Sequence, residues 1–575
     1  MSIDVTVTIG GAAGQGIQTV GDLLASVCHR AGLYLMAVND FESRIRGGHS
    51  FIQLRISDQP VAAADDYVHL LVAINQETYA VHAAEMVENG RVLIDLDPAG
   101  GDAAPGRDQG VNVAFAQLAK EAGGKILANT VAAGAVLGML GAPAGLLDEV
   151  LAIRFGDKSG DVLENNRSAA RLGREAVASE PFEFRFDWPQ RGARGKLLSG
   201  ARALALGALA ADCRMAAFYP MSPATGIMAE LAEFMADFPL VVEQAEGEIA
   251  AINMVVGASF AGVRAMTATS GGGFSLMAEG LGLAAITETP VVVINAQRPG
   301  PATGLPTRTA QGDLRFVIHA SQDEFPRFVL APTNLDEGFA TVIRGFHLAE
   351  KYQVPVIILT DQYFNDSLSI AEADWRAPET IERFLVSDAD MADPAGYRRF
   401  AVTESGVSPR AVACQGKARV MVTGNEHRED GHLSEAVADR NAQFDKRRAK
   451  LSGMLEEMNG PASYFEESRL LLVTWGSTAG AVREAVDRLR GAGHDAGALV
   501  FTDLWPFPSE AVTQALSRCG QFVTVELNGS SQLGGLIREQ TGRVPAGAIL
   551  QYDGRPMRPG RIVEQSKTYL EAENG

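Results

Sequence analysis

Apolar and polar positions alternate along this chain in stretches of α/β rhythm separated by poorer ones. Residues 5–9 form a short apolar run, GGAAGQG follows, and Leu23, Leu24 and Val27 then recur at helical spacing. That order of strand, glycine turn and helix predicts the start of a nucleotide-type fold. The runs FIQLRIS (51–57), HLLVAI (69–74) and RVLIDLD (91–97) predict further strands. One α/β domain is expected to end near Pro181, followed by a stretch of Arg, Gly and Lys with the composition of a linker. A second domain begins near Lys196, with strand runs at RMAAFYP, PLVVEQ, RAMTATS, PVVVINA, RFVLAP and PVIILTD. Several are almost wholly apolar, as parallel strands covered on both faces require. Residues 375–467 are poorer and more charged, and DKRRAKLSGMLEEM (445–458) predicts an exposed helix. RLLLVTWGS, DAGALVFTDL and GQFVTVELN then restore the rhythm. The expected fold class is α/β with several parallel or mixed-sheet domains: residues 1–185, a linker at 186–195, residues 196–410, and residues 411–575 including a connector at their start.

Composition narrows the function classes. At 575 residues the chain is too long for one core. A net charge of −20 argues against nucleic acid or an anionic membrane surface as partner, since both are polyanions. Cys28, Cys213, Cys414 and Cys519 form no C-x-x-C pair, so neither a zinc site nor an iron–sulfur cluster is expected from this chain alone. The start MSIDVTVTIGG lacks a basic segment followed by an apolar core, so no secretory signal is expected and a cytoplasmic location is. The uncharged run at 126–147 holds Asn129, Thr130 and Pro143, which favours a buried helix over a membrane span.

Four stretches carry candidate chemistry. In YPMSPAT, two prolines make a rigid corner after an apolar strand, with Ser222 a candidate helix N-cap and Pro223 a first helical residue. Hydroxyls and free N–H groups at such a place suit an anion. Glu248 follows the strand VVEQ and opens a helix rich in small residues. Arg298 lies in NAQRPGPATGLPTRTAQGD and offers a planar cation. In GGAAGQG, Gly14, Gln15 and Gly16 present backbone N–H groups, and Arg44 and Arg46 in ESRIRGGHS could add two cations for a phosphate ligand. The spacing departs from the G-x-G-x-x-G of dinucleotide folds. TGNEHREDGH (423–432) gathers His and acids without clear metal-ligand spacing, and no metal site is assigned.

Read together, YPMSPAT, Glu248, TATSGGGFSLMAEG and the QRPGPATGLPT stretch resemble the α subunit of the 2-oxoacid:ferredoxin oxidoreductases. GGAAGQGIQT and ESRIRGGHS resemble that family's γ domain, and residues 469–541 its transketolase C-terminal-like domain. The resemblance implies a γ domain fused ahead of a thiamine diphosphate pyrimidine-binding-type domain, as in the two-subunit branch. It implies that Glu248 activates thiamine diphosphate, that Ser222, Arg298 and Thr307 hold the substrate with Tyr219 beside them, and that Gly14, Gln15, Gly16, Arg44 and Arg46 belong to a coenzyme A site.

Thiamine diphosphate enzymes usually hold Mg²⁺ and the diphosphate through a GDG sequence, and none occurs here. A separate β subunit is therefore expected to bring the diphosphate pocket, Mg²⁺ and a [4Fe–4S] cluster, in a dimer of heterodimers that reduces ferredoxin. The expected activity converts a 2-oxoacid, 2-oxoglutarate foremost, and coenzyme A to acyl-CoA and CO₂, or the reverse. Pyruvate and branched-chain 2-oxoacids are alternatives, as are an NAD(P)-linked dehydrogenase, which the glycine spacing disfavours, and a non-catalytic scaffold, which Glu248 and Arg298 disfavour.

Overall fold

The computed structural model describes residues 3–12, 14–43, 48–95, 109–158, 160–189, 191–387, 396–413, 415 and 420–571. These form two compact units, Met1–Ser199 with Asp366–Ala373 and Arg558–Arg561, and Gly200–Asn365 with Asp374–Met557 and Ile562–Gly575. Both are α/β, as the sequence pattern predicts.

The first unit is built on a sheet of eight strands whose central member is Asp4–Ala12. On one side Val68–Ala73, Met86–Ile94 and Gly110–Asn112 run parallel to it and to one another. On the other side His49–Ser57, Tyr34–Asp40, Leu368–Ala371 and Lys196–Ser199 alternate antiparallel. Tyr34–Asp40 is not among the expected strands, and Lys196–Ser199, expected to open the second domain, belongs to this sheet. Each needs a partner to be recognised, and Lys196–Ser199 finds its partner in Leu368–Ala371, far along the chain. The fourth strand expected here, at 91–97, is Met86–Ile94 and so begins before Arg91, while residues 96 and 97 lie outside the described ones. The apolar run at 126–147 is two helices, Ala128–Met139 and Ala144–Phe155, separated at Gly141 with φ 78° and at Pro143. Thr130 donates to Asn166 Oδ1 at 2.7 Å, so the polar group inside the run is satisfied. Among the described residues no helix is long and apolar enough to cross a membrane.

The second unit contains two sheets. The larger has the order Asp503–Trp505, Phe328–Leu330, Pro355–Asp361, Val291–Gln297, Ala265–Thr269, Met215–Phe218, Val241–Gln244. All are parallel except Asp503–Trp505, which pairs antiparallel with Phe328–Leu330. From Met215–Phe218 the chain moves to the edge strand Val241–Gln244, then returns to Ala265–Thr269 and continues the other way. The order therefore reverses between Met215–Phe218 and Ala265–Thr269, and ligands of open α/β sheets bind beyond the carboxyl ends of strands at such a reversal. The smaller sheet runs Ala462–Tyr464, Ala496–Phe501, Leu470–Trp475, Gln521–Glu526, Gly547–Leu550, parallel but for its first pair.

The helix expected to be exposed at 445–458 is part of Val437–Glu456, and its charged side is buried. Lys446 and Lys450 reach the fully buried Glu288 at 2.5 and 2.6 Å. Burial alone would raise the Glu288 carboxyl, but Lys450, Lys446 and Arg399 outweigh it and hold the group well below the usual carboxylate range. Glu350 is likewise enclosed by Arg264, Arg383 and Arg410. Losing one partner of such a cluster leaves an uncompensated buried charge, at a cost of about 3–5 kcal/mol. The charged connector is thus anchored into the core by its charges. In the stretch at 423–432, Glu426 pairs with Arg440 and Arg447, and the His427 ring lies on Phe400 with centroids 4.0 Å apart.

Candidate active site

Five strand ends of the larger sheet deliver the candidate residues to one face. Phe218 leads into Tyr219 and the Ser222 corner, Gln244 into Glu248, Thr269 into Ser270, Gln297 into Arg298, and the fifth strand ends at Asp361. Glu248 begins the helix Glu248–Phe260, is 4% exposed, and its Oε1 has no hydrogen-bond partner. Beside it the helix Gly271–Ile286 starts without a side-chain cap. A methyl group at Gly273 would lie 2.0 Å from Thr269 Oγ1 and 2.6 Å from Glu248 Oε1, so only glycine lets this helix approach the carboxyl group. Thr269 Oγ1, Ser270 Oγ and Asn295 Oδ1 are also buried and unpartnered. Such groups are expensive to leave unpaired, and their concentration marks a place prepared for a polar guest.

Arg298 meets the YPMSPAT corner through the backbone. Its Nη1 donates to the Ser222 carbonyl at 2.7 Å, and Asn365 Nδ2 donates to the neighbouring Pro223 carbonyl at 3.2 Å. The Ser222–Pro223 peptide is cis, and the helix begins at Thr225 with Ala224 at the cap. Ser222 therefore does not cap the helix; its carbonyl, rather than its hydroxyl, holds the arginine. One side of the guanidinium is used, while Nε is buried and unpartnered. Burial lowers the Arg298 pKa from its ordinary value. Tyr219 is 38% exposed at the rim, and Thr307 is buried in the loop that follows Arg298.

That loop is closed at its base. Gln297 Nε2 donates to the Thr360 carbonyl at 3.1 Å, and its Oε1 accepts from the Asp313 N–H at 3.0 Å. Asn295 Nδ2 donates to Asp313 Oδ2 at 3.1 Å. Burial raises the Asp313 carboxyl, against the hydrogen bond from Asn295. Gln311 ties the loop to the smaller sheet: Nε2 donates to the Trp475 carbonyl at 2.7 Å, and Oε1 accepts from Thr478 Oγ1 at 2.8 Å and Leu527 N at 2.9 Å. Burial pushes Asp361 up to about 6, against donors that include Ser477 Oγ and the Phe364 N–H.

Comparison with known proteins places this geometry. The family described as "Pyruvate flavodoxin/ferredoxin oxidoreductase, thiamine diP-bdg" matches residues 206–446. "Pyruvate ferredoxin/flavodoxin oxidoreductase" matches 6–176, and "Pyruvate:ferredoxin oxidoreductase core domain II" matches 469–561. The 2-oxoacid:ferredoxin oxidoreductase subunit alpha of a Sulfolobus species is 33% identical, over 95% of this chain and 94% of that one. The chain belongs to the 2-oxoacid:ferredoxin oxidoreductase family. The 2-oxoglutarate synthase subunit KorA of Methanothermobacter thermautotrophicus is 32% identical over 64% of this chain and 96% of its own. A solved 2-oxoglutarate:ferredoxin oxidoreductase from Magnetococcus marinus, with 2-oxoglutarate, coenzyme A and succinyl-CoA bound, superposes with a TM-score of 0.91. It is 32% identical and covers 99% of this chain and 100% of that one.

In this oxidoreductase chain the N-terminal glycine turn lies in the first unit. Gly14 and Gly16 have φ 87° and 74°, and Gly16 occupies the cap of the helix Ile17–Ala31. Gln15 is exposed and folds back on the turn, its Oε1 accepting from the Ala12 N–H at 2.7 Å. Arg44 and Arg46 lie outside the described residues. Thr269, Ser270, Asn295, Gln311 and Asp313 were given no role in the sequence reading. They sit in TATSGGG and NAQRPGPATGLPTRTAQGD, both singled out, and the signal in the first was a polar strand end followed by glycine.

Proposed function

We propose that this chain is the α-type subunit, with a fused γ-type domain, of a thiamine diphosphate-dependent 2-oxoglutarate:ferredoxin oxidoreductase. The reaction takes a 2-oxoacid, coenzyme A and two oxidised ferredoxins to acyl-CoA, CO₂, two reduced ferredoxins and a proton, or runs in reverse. The observation that carries the reading is the pairing of a buried, unpartnered Glu248 Oε1 under Gly273 with Arg298, whose Nε also lacks a partner. These residues fit the two guests the reaction brings. Glu248 would share a proton with the aminopyrimidine ring of thiamine diphosphate, and the hydroxyls of Thr269 and Ser270 lie nearby to orient it. Once bound, that cofactor supplies the carbanion that attacks the 2-oxo carbon and the electron sink for decarboxylation. Arg298 keeps one N–H on the Ser222 carbonyl and turns its Nε–H to the substrate carboxylate, with Thr307 and Tyr219 beside it. A guanidinium pinned on one side has less rotational freedom to lose when the anion arrives.

In this reading a β subunit brings Mg²⁺, the diphosphate pocket and a [4Fe–4S] cluster, and the assembly is a cytoplasmic dimer of heterodimers. The N-terminal unit takes coenzyme A at Gly14, Gln15 and Gly16, with Arg44 and Arg46 as its cations. Choice of 2-oxoglutarate is supported by the KorA relatives and by the Magnetococcus marinus enzyme. The test is to co-express the chain with a β subunit and follow coenzyme A-dependent viologen reduction with 2-oxoglutarate, pyruvate and a branched-chain 2-oxoacid. The highest kcat/KM is expected for 2-oxoglutarate. A preference for pyruvate would correct the substrate, and reduction by none of them would overturn the reading.

A further inference from the structure

The corner that holds Arg298 is itself gripped by a side chain that the proposed chemistry leaves unused. Within the corner the Met221 carbonyl accepts from Ala224 N at 2.7 Å and from Thr225 N at 3.1 Å, which closes the turn. The Pro223 ring sets its own φ, so little rotation is left inside it. Two carbonyls on consecutive residues are taken from outside. Ser222 O accepts from Arg298 Nη1 at 2.7 Å, and Pro223 O accepts from Asn365 Nδ2 at 3.2 Å. The two donors follow neighbouring parallel strands: Arg298 comes directly after Val291–Gln297, and Asn365 lies in the short helix Gln362–Asp366 that succeeds Pro355–Asp361.

That short helix is tightly seated. The Phe364 N–H donates to Asp361 Oδ1 at 2.8 Å. Methyl groups at Gly200 and Gly338 would lie 2.0 Å from the Phe364 carbonyl oxygen and 2.8 Å from its Cζ, so the residue before Asn365 has no slack. Asn365 is 0% exposed. Because one end of its amide faces a carbonyl, that end is the NH₂, and the orientation of the amide is settled. Its Oδ1 is buried and has no partner. An unpaired buried oxygen is costly, yet the side chain that carries it makes one hydrogen bond, to the corner.

We infer that Asn365 is a positioning residue for Arg298. By holding the Pro223 carbonyl it fixes the turn on which the Ser222 carbonyl stands, and so fixes which side of the guanidinium is left for the substrate carboxylate. Asn365 does not touch the substrate; it acts through the corner and Arg298. If the Pro223 carbonyl were released, the Ser222 carbonyl would shift, carry Nη1 with it and turn Nε–H away from the anion. What is lost is alignment, not charge. The inference rests on the reading of Arg298 as the cation that receives the 2-oxoacid.

A double-mutant cycle in the complex assembled with a β subunit tests it, read as kcat/KM for the preferred 2-oxoacid. Asn365→Leu should lower kcat/KM by about 5- to 50-fold when Arg298 is present. In the Arg298→Ala background the same substitution should cost less than about twofold, because the group it misaligns is gone. Thiamine diphosphate affinity, titrated without substrate, should be unchanged by Asn365→Leu. Equal losses in the two backgrounds, or full kcat/KM in Asn365→Leu, would overturn the role of Asn365 and leave the substrate reading standing. Asn365→Asp serves where the leucine variant does not fold. Its ionised carboxylate repels the Pro223 carbonyl, while the protonated form donates to it, so the loss should shrink as pH falls through the raised pKa of a buried carboxyl. A loss independent of pH, or the same recovery in the Arg298→Ala background, would overturn the proposal. If Arg298→Ala itself kept full kcat/KM for every 2-oxoacid, the substrate reading would fall and the proposal with it.

Discussion

Two helices of this chain start among glycines without a side-chain cap, Ile17–Ala31 after Gly14 and Gly16 and Gly271–Ile286 after Ser270. At the first, no acid crowds the turn: a methyl group at Gly14 would meet nothing within 4 Å, and one at Gly16 would lie 1.9 Å from the neutral amide of Asn129. At the second, the space is taken by acids, since methyl groups at Gly271 and Gly273 would lie 2.4 Å from Asp313 Oδ2 and 2.6 Å from Glu248 Oε1. A helix N-terminus by itself favours anions. Two carboxyl groups at its flanks reverse that preference and suit a ring that shares a proton. On the proposed reading, the same backbone device serves a phosphate in one unit and a heterocycle in the other, and neighbouring strand ends decide which.

The contrast breaks most severely at Glu248. Glu248→Gln should lower kcat by about 10²- to 10⁴-fold with an unchanged melting temperature, because an amide cannot exchange a proton with the ring; near-normal turnover would make the second site as generic as the first. Next is Arg298→Ala, expected to cost about 2–5 kcal/mol in kcat/KM, or ~30- to 5,000-fold. Arg298→Lys should recover only part, since lysine keeps the charge without the fork. Both are read from steady-state kinetics across 2-oxoacids. Gly273→Ala should weaken thiamine diphosphate binding by about 5- to 150-fold, corresponding to ~1–3 kcal/mol of overpacking against Glu248. Gly14→Ala, at φ 87° but in open space, should leave that affinity unchanged and cost only about 1–2 kcal/mol of stability. Equal losses of cofactor affinity in the two variants would erase the distinction. The smallest effect belongs to Ser222→Ala, below about 1 kcal/mol in kcat/KM, because the carbonyl that holds Arg298 is backbone.

Much of the second unit was legible because nearly all-apolar runs announce parallel strands, and chemistry collects where such strands end. Glu248 after VVEQ was found in that way, and Arg298 through the QRPGPATGLPT motif that follows PVVVINA. The role of Ser222 was not, since a sequence displays the hydroxyl and hides the carbonyl that the arginine uses. The helix Val437–Glu456 was misread because a charged face is ordinarily solvated. Glu288, distant in sequence and wholly buried, supplies the charge that lets Lys446 and Lys450 be core residues. Tyr34–Asp40 escaped for a related reason: its place is fixed by pairing with His49–Ser57 and Leu368–Ala371, which no local period reveals.

Gln311 limits how members of this family can be recombined. Its amide grips the Trp475 carbonyl, the Thr478 hydroxyl and the Leu527 N–H, while its own backbone pairs with Leu527 and Asn528. The loop that begins with Arg298 therefore takes its bearings from the smaller sheet, although that sheet supplies none of the residues assigned to the substrate. A chimera that imports a relative's specificity loop alone would leave this amide facing foreign carbonyls and shift Arg298 with it. On the proposed reading, the unit of inheritance for substrate choice is the loop together with the two strand ends it clasps, and a library of exchanged segments should draw its crossover points accordingly.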